Sequence, residues 1–323
     1  SPELPRMNVP LEDAHARADA SRAPQTAILV NPAAGRDRSA REQARLMETL
    51  RALPDTHVVE LDRTTPVETA ARAAVEAGHA MVVAAGGDGT ISAVAGALAG
   101  TGRTLGILPL GTFNFLARAL GLPQELDAAL DVLREGRDLP LTLGEVNGAV
   151  FVNNASLGAY AAVLEARETV YGRWGRNRLA AYWSVLVAML GVSKAQRMTV
   201  TVDGEREEVR TPVAFVAVRP YQLENYALSG AEAVRAGELA LFLAPDCGRV
   251  ALIWRALKIA LRRTEPGRDY RLRTGREIVM ETKRDHVKVA RDGERARMRS
   301  PLTFRARDGA LTVRAPRTAG ART

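Results

Sequence analysis

A single cysteine, Cys247, stands in 323 residues, so no intrachain disulfide is available to brace the chain. No histidine lies near it in sequence, and the thiol reads as inert. No apolar run approaches the ~20 residues that span a bilayer. The longest, Leu186 to Val192, sits in a somewhat wider apolar stretch from Leu179. The N-terminus is polar and lacks the apolar core of a signal peptide. These absences lead to the expectation of a cytoplasmic protein, soluble or peripheral to a membrane. Aromatic residues are 5% of the chain, too few to stack a nucleic-acid strand, so nucleic acid is not expected as a partner. Neither a GxxxxGK[ST] phosphate loop nor a clear GxGxxG run after the first strand is present. Phosphate binding would therefore rest on other glycine loops.

What is present fits a globular chain of two domains: 46% hydrophobic and 25% charged residues over this length. The net charge of +8 is unevenly placed. From Cys247 to Thr323 there are 21 Lys+Arg against 8 Asp+Glu, while Ser1 to Asp246 carries 24 against 29. A basic segment of this size attracts anions, whether nucleotide phosphates or an anionic membrane surface.

Residues 1–24, with four prolines and mixed charge, read as a flexible arm. From Thr26 the pattern alternates. Ala27 to Val30 reads as a strand ended by Asn31-Pro32. Ala40, Ala44, Met47, Leu50 and Leu53 fall near helical spacing. Further strands are expected at His57 to Leu61, Ala80 to Ala85 and Leu105 to Leu110. Helices are expected at Val67 to Ala77, Ile91 to Leu98, Asn114 to Leu120 and Glu125 to Arg134. Such a βαβα series implies a Rossmann-like parallel sheet covered by helices, with ligand loops at its carboxyl edge. From Thr142 the chain becomes rich in β-branched residues, at Thr142 to Val152, Met198 to Val218 and Ile278 to Val313. Helical stretches interrupt at Ala162 to Tyr171, Leu179 to Leu190 and Arg249 to Arg263. The expected organisation is an α/β nucleotide domain over 25–141, a mostly antiparallel β-sandwich domain over 142–316 and a tail at 317–323.

Three loops share one grammar of strand, polar or glycine turn, and helix start. Gly86-Gly87-Asp88-Gly89-Thr90 is the strongest. Its glycines let the backbone approach a bulky anion, and the helix N-terminus favours phosphate there. Thr90 adds a hydroxyl. Asp88 repels phosphate and makes sense only beside Mg²⁺ or a cationic side chain. The others are Pro109-Leu110-Gly111-Thr112-Phe113-Asn114 and Asn31-Pro32-Ala33-Ala34-Gly35-Arg36. Together they point to a nucleotide cleft.

These residues resemble the diacylglycerol kinase catalytic-domain family, which includes bacterial lipid kinases and sphingosine kinases. The likeness continues through Phe151-Val152-Asn153-Asn154-Ala155-Ser156-Leu157-Gly158, Asp292-Gly293-Glu294 and Gly309-Ala310-Leu311. It implies ATP with Mg²⁺ in a cleft between the domains, and a lipid such as diacylglycerol as acceptor. By matching positions it implies that Asn31, Thr64, Gly86 to Thr90, Gly111, Thr112 and Asn114 form the ATP site, with Arg36 on a phosphate. It implies Asp292 as proton acceptor, with Glu294 beside it. Read alone, Asp292-Gly293 is a hairpin turn pair. Asp203-Gly204-Glu205 repeats the tripeptide and reads as a turn only.

Three positions depart from the family pattern. Phe115 stands where Asp or His is common. Ala236-Gly237 replaces an Asp-Gly associated with a structural Mg²⁺ site, which leaves the metal ligands undefined. Arg219 lies where an Asn-containing stretch is usual. Two other functions stay open: a catalytically impaired lipid- or nucleotide-binding protein, and an NAD-kinase-like kinase of a soluble substrate. In Arg249 to Arg263, the cations Arg255, Lys258 and Arg262 share one helix face, with Trp254 elsewhere. That suits contact with an anionic membrane, and equally an ordinary packing helix with a solvated basic face. Oligomeric state is not fixed, and a homodimer stays open.

Overall fold

The fold is described from a computed structural model, over residues 25–34, 39–62, 64–158 and 195–317. The expected arm at 1–24, the helices at Ala162 to Tyr171 and Leu179 to Leu190, Arg36, and most of the tail lie outside these residues.

The first half follows the alternation in the sequence. Strand β1 (Thr26–Val30) leads to α1 (Ala40–Arg51), then β2 (Thr56–Glu60), α2 (Val67–Glu76), β3 (Met81–Gly86), α3 (Asp88–Leu98), β4 (Thr104–Pro109), α4 (Phe115–Ala119) and α5 (Leu126–Glu135). The four strands pair in parallel in the order β2-β1-β3-β4. Their apolar runs are buried because helices cover both faces: Leu29, Ala84 and Ile107 pack toward α2 and α3, while Ile28, Val83 and Leu108 pack toward α1 and α5. Helix α1 starts at a capping box, in which the Ser39 hydroxyl accepts from the Glu42 amide and the Glu42 carboxylate accepts from the Ser39 amide. Its buried stripe is Leu46, Met47 and Leu50, with Ala40 and Ala44 exposed. Of the expected stripe, Met47 and Leu50 are buried and Leu53 packs against the core, while the two alanines are not part of it.

The second half is built on β5 (Arg137–Val146), β6 (Ala149–Phe151), β7 (Asn154–Gly158), β8 (Gln196–Val202), β9 (Glu205–Thr211) and β10 (Val213–Ala217). It continues through α6 (Pro220–Asn225), α7 (Ala231–Arg235), β11 (Leu239–Leu243), α8 (Arg249–Ala260), β12 (Arg271–Gly275), β13 (Glu277–Thr282), β14 (His286–Arg291), β15 (Glu294–Arg299) and β16 (Leu302–Ala315). A six-stranded antiparallel sheet runs β12-β11-β10-β7-β14-β15. It packs on the antiparallel part of the larger sheet, where β16, β13, β8 and β9 follow β4. Phe151, Phe304, Val200 and Ile278 meet Val216, Leu241 and Val289 in that sandwich core.

The two halves share one sheet. Strand β16 pairs in parallel with β4 at Thr312–Thr104 and antiparallel with both β5 and β13. The change of character near Thr142 therefore falls inside a continuous strand. Phe304, fully buried, sets its ring edge-on to Phe151 at 6.5 Å, in the stretch of β16 that lies between β5 and β13. Truncating Phe304 to Ala should cost about 3–5 kcal/mol in denaturant unfolding.

Helix α8 corrects one expectation. Arg255 and Lys258 do not form a solvated face. Lys258 Nζ lies 2.9 Å from the buried carboxylate of Asp269, and Arg255 Nε lies 3.9 Å from its other oxygen. Arg262 donates to Asn225 Oδ1 at 3.1 Å. A buried carboxylate requires cationic partners, and Asp269 draws Lys258 and Arg255 against the protein while Arg262 stays exposed. Among the described residues no helix is long and apolar enough to cross a membrane.

Candidate functional site

Because β1 to β4 are parallel, the loops after them gather at one sheet edge. Asn31 ends β1 and ties two of these loops together. Its Nδ2 donates to Thr90 Oγ1 at 2.9 Å, its Oδ1 accepts from the Ala33 amide at 3.0 Å, and its own amide donates to Ala85 O. Thr90 is buried in the first turn of α3, so its hydroxyl fixes the loop from below. A Cβ on Gly86 would come within 2.5 Å of the Thr90 side chain. Thr64 sits exposed beyond β2, where the amides of Thr65 and Thr64 hold the Asp62 carboxyl below its usual value.

The glycine loops meet back to back. A Cβ on Gly111 would lie 2.5 Å from Gly87 Cα and 2.8 Å from Asn114 Oδ1. Asn114, buried and left-handed at φ 50°, shapes its own loop: Oδ1 accepts from the Gly111 amide, while Nδ2 donates to Gly111 O and to Gln124 Oε1. Its side chain is thereby spent within the protein, whereas Thr112 and Gly89 stand exposed at the cleft. Phe115 stacks on Phe113, with ring centroids 5.7 Å apart.

Asp88 begins α3 and reaches across to the third loop. Its oxygens accept from the Asn114 amide at 3.0 Å and the Phe115 amide at 2.6 Å. Burial pushes this carboxyl up, the Phe115 and Asn114 amides pull it back, and the charge of Asp292 pushes it up again. Two acids far apart in sequence thus lie within electrostatic reach of each other.

Asp292 and Gly293 form the β14–β15 turn with φ of 47° and 95°, the same left-handed pair as Asp203 and Gly204 at 46° and 92°. The turn reading and the site reading both hold at Asp292, because the side chains differ in surroundings. Asp203 accepts from the Arg276 and Glu277 amides at an exposed edge. The Asp292 carboxyl points inward and accepts from three amides: Val152 at 2.6 Å, Asn153 at 2.7 Å and Asn154 at 3.1 Å. Burial raises its pKa, and these amides oppose that rise. A carboxylate has about four acceptor positions, and these amides fill three of them. Glu294 follows in β15 as an exposed residue paired across the hairpin with Arg291 and is not drawn into this cluster.

Sequence reasoning noted Arg219 only as a departure. It is buried at the start of α6, donating from Nε to Val152 O at 2.7 Å and from Nη2 to Thr142 O. Burial lowers its pKa to about 10, and the Asp292 charge supports its protonation. No periodicity marks an arginine for burial, so this placement is not legible from neighbouring residues. Ser92, one turn along α3, also reaches the Asp292 carboxyl, without a well-aligned hydrogen bond. At the Ala236 departure, the Arg276 guanidinium bridges Ala236 O at 3.2 Å and Asp308 Oδ2 at 3.0 Å.

The donor set can be tested against Mg²⁺. No group of three or more His, Cys, Asp or Glu gathers among the described residues. Asp88 keeps free lone pairs beside its two amide bonds. Mg²⁺ commonly takes one or two carboxylates and completes its shell with phosphates and water, and Asp88 fits that role.

Residues 25–146 match the model of the diacylglycerol kinase catalytic domain. The chain is 37% identical over 140 residues to a protein of Bacillus subtilis named diacylglycerol kinase, covering 41% of this chain and 45% of that one. It is 54% identical over 87 residues to a Pseudomonas aeruginosa protein named "Probable lipid kinase YegS-like", covering 26% of this chain and 28% of that one. The matched stretches thus span less than half of these relatives. In fold, the chain superposes on a diacylglycerol kinase of Bacillus anthracis with TM-score 0.67 at 20% identity, covering 90% of this chain and 97% of that one. A yeast NADH kinase superposes at TM-score 0.51 and 13% identity, covering 91% and 83%.

Proposed function

We propose, on the premise that residues 25–146 are a diacylglycerol kinase catalytic domain, that this chain transfers the γ-phosphoryl group of ATP to a hydroxyl of a membrane lipid of the diacylglycerol type. The observation that carries this reading is the approach of Asp292, from the antiparallel sheet, to Asp88 at the glycine loop. One acid sits where nucleotide phosphates would lie, and the other offers a lone pair to an acceptor. Exposed amides at the start of α3, with Thr112 beyond Gly111, would hold the phosphates. Mg²⁺, held by Asp88 and the phosphates, would neutralise charge on the transferring group. The acceptor oxygen attacks the γ-phosphorus, the bond to the ADP oxygen breaks, and Asp292 takes the hydroxyl proton. Incubation with radiolabelled ATP and an extracted lipid mixture, with the product identified by mass spectrometry, tests this. Label in NAD rather than in lipid would favour the soluble-substrate reading, and no transfer at all would favour a binding protein.

The raised pKa of Asp292 sets a pH dependence. The base must be ionised, so turnover should fall on acidification from a pH above the ordinary carboxyl value of 3.8. Arg219 faces this charge, and their interaction is mutual. Arg219→Met should move the acid limb of the pH–rate profile to higher pH, and Arg219→Lys should restore it. An unmoved limb in the Met variant would leave Arg219 a structural role only. Stability carries the matching sign. The contribution from a protonated Asp292 is full below pH 3.8 and is lost as pH rises through the raised folded value.

A further inference from the structure

The large apolar side chains exposed among the described residues are Val250 at 69%, Trp254 at 63%, Leu257 at 44% and Leu261 at 57%. All four lie on α8 or directly after it. Steps of four, three and four residues place them in one stripe. Elsewhere on the helix, Leu252 is buried against Val213, Ala244 and Cys247, while Arg255 and Lys258 are drawn to Asp269. The helix therefore shows solvent its apolar side and turns cations toward the protein, the reverse of an ordinary surface helix.

Two observations select what covers this stripe. Four side chains expose on the order of a few hundred Å², well short of the roughly 800 Å² per partner of a stable protein interface. The surrounding segment is also strongly basic, since residues 247–269 hold six Lys+Arg against two Asp+Glu. Arg262 and Arg263 stand exposed at the end of the stripe. A second copy would set this positive rim against itself, whereas a bilayer of anionic lipids accepts both the apolar stripe and the cations.

We infer that α8 lies in the interface of an anionic membrane, with Val250, Trp254, Leu257 and Leu261 among the acyl chains and Arg262 and Arg263 at the headgroups. The inference rests on the proposed lipid acceptor for its purpose, though not for its test. Helix α8 packs at Val213, and the Asp292 clamp lies near the pairing of Ala217 with Asn154, at the far end of the same strands. The membrane contact is thereby set roughly 13 Å along β10 from the acids.

The test is flotation of the full chain with phosphatidylcholine vesicles, with and without phosphatidylglycerol, in the absence of nucleotide. Trp254→Ser with Leu257→Ser should weaken partition about tenfold or more on both vesicles, leaving thermal stability and sedimentation velocity unchanged. Arg263→Glu should weaken binding only where phosphatidylglycerol is present, and less so at high salt. Unaltered flotation of the double variant would overturn the inference. So would a lowered melting temperature, which would mean the stripe is covered by the chain itself, or a dimer that dissociates in the variant. Vesicle binding through α8 by a chain that phosphorylates no lipid would support this inference while sinking the kinase reading.

Discussion

Replacing Asp292 with Asn should lower turnover by about 10²–10⁴-fold, the range that a positioned general base contributes. The structure adds a condition. The amides of Val152, Asn153 and Asn154 point at both carboxylate oxygens, and an Asn side chain must set its own N–H₂ against at least one of them. A donor facing a donor in a buried place costs about 1–3 kcal/mol. The variant must therefore be shown folded before its rate is read, and ATP affinity by calorimetry serves both purposes. Asp203→Asn is the matched control, because it alters the same left-handed turn pair and also loses acceptance from backbone amides. Its turnover should stay near that of the unaltered chain. Near-normal turnover for a folded Asp292→Asn would remove the proton acceptor from the proposal. Glu294, exposed and turned away, would be a poor replacement.

Gly111→Ala should weaken ATP binding by about tenfold or more, equivalent to about 1.4 kcal/mol or beyond. The added methyl meets Gly87 Cα at 2.5 Å and Asn114 Oδ1 at 2.8 Å. The first is backbone and cannot swing aside, so the two glycine loops must part. Asn114 would then lose its hold on the Gly111 amide, and Asp88 its amides from the third loop. Gly87→Ala is the instructive contrast. Its methyl would lie 3.4 Å from Gly111 Cα, close to ordinary contact, so a small loss is expected there. Gly87→Val, with two further carbons, should still block backbone approach to phosphate. Calorimetry on folded protein distinguishes the three. Equal affinity for ATP in Gly111→Ala would take the paired loops out of the nucleotide site.

The alternating first half was legible because each strand is a short apolar run closed by a turn, and each helix shows its period. In α1 only Ala40 and Ala44 missed, because alanines fit a helical stripe without identifying the buried side, which Leu46, Met47 and Leu50 define. The glycine loops were legible as turns that close a strand and open a helix, as β3 to α3 and β4 to α4 show. That Gly111 rather than Gly87 is the tighter contact depends on how two loops cross, which no local pattern carries. The local sequence could not separate the surroundings of Asp292 from those of Asp203, since Asp203-Gly204-Glu205 is the same tripeptide. The orientation of α8 was not legible either. Its sequence offers both a basic and an apolar side, and the choice between them is made by Asp269, buried beyond the end of the helix.

The sharing of β16 between the two halves has a consequence for how the protein is made. Strands β4 and β5 leave the ribosome long before residues 302–315, whose strand pairs with both. At about 5–20 residues per second that interval is on the order of ten seconds. Through it, the parallel sheet stands with β4 as an open edge, the kind of surface on which a second nascent chain can add a strand. The first half can collapse early but cannot close, and chaperone demand should be concentrated in that interval. Shortening the chain before β16 should yield aggregates rather than a free-standing first half.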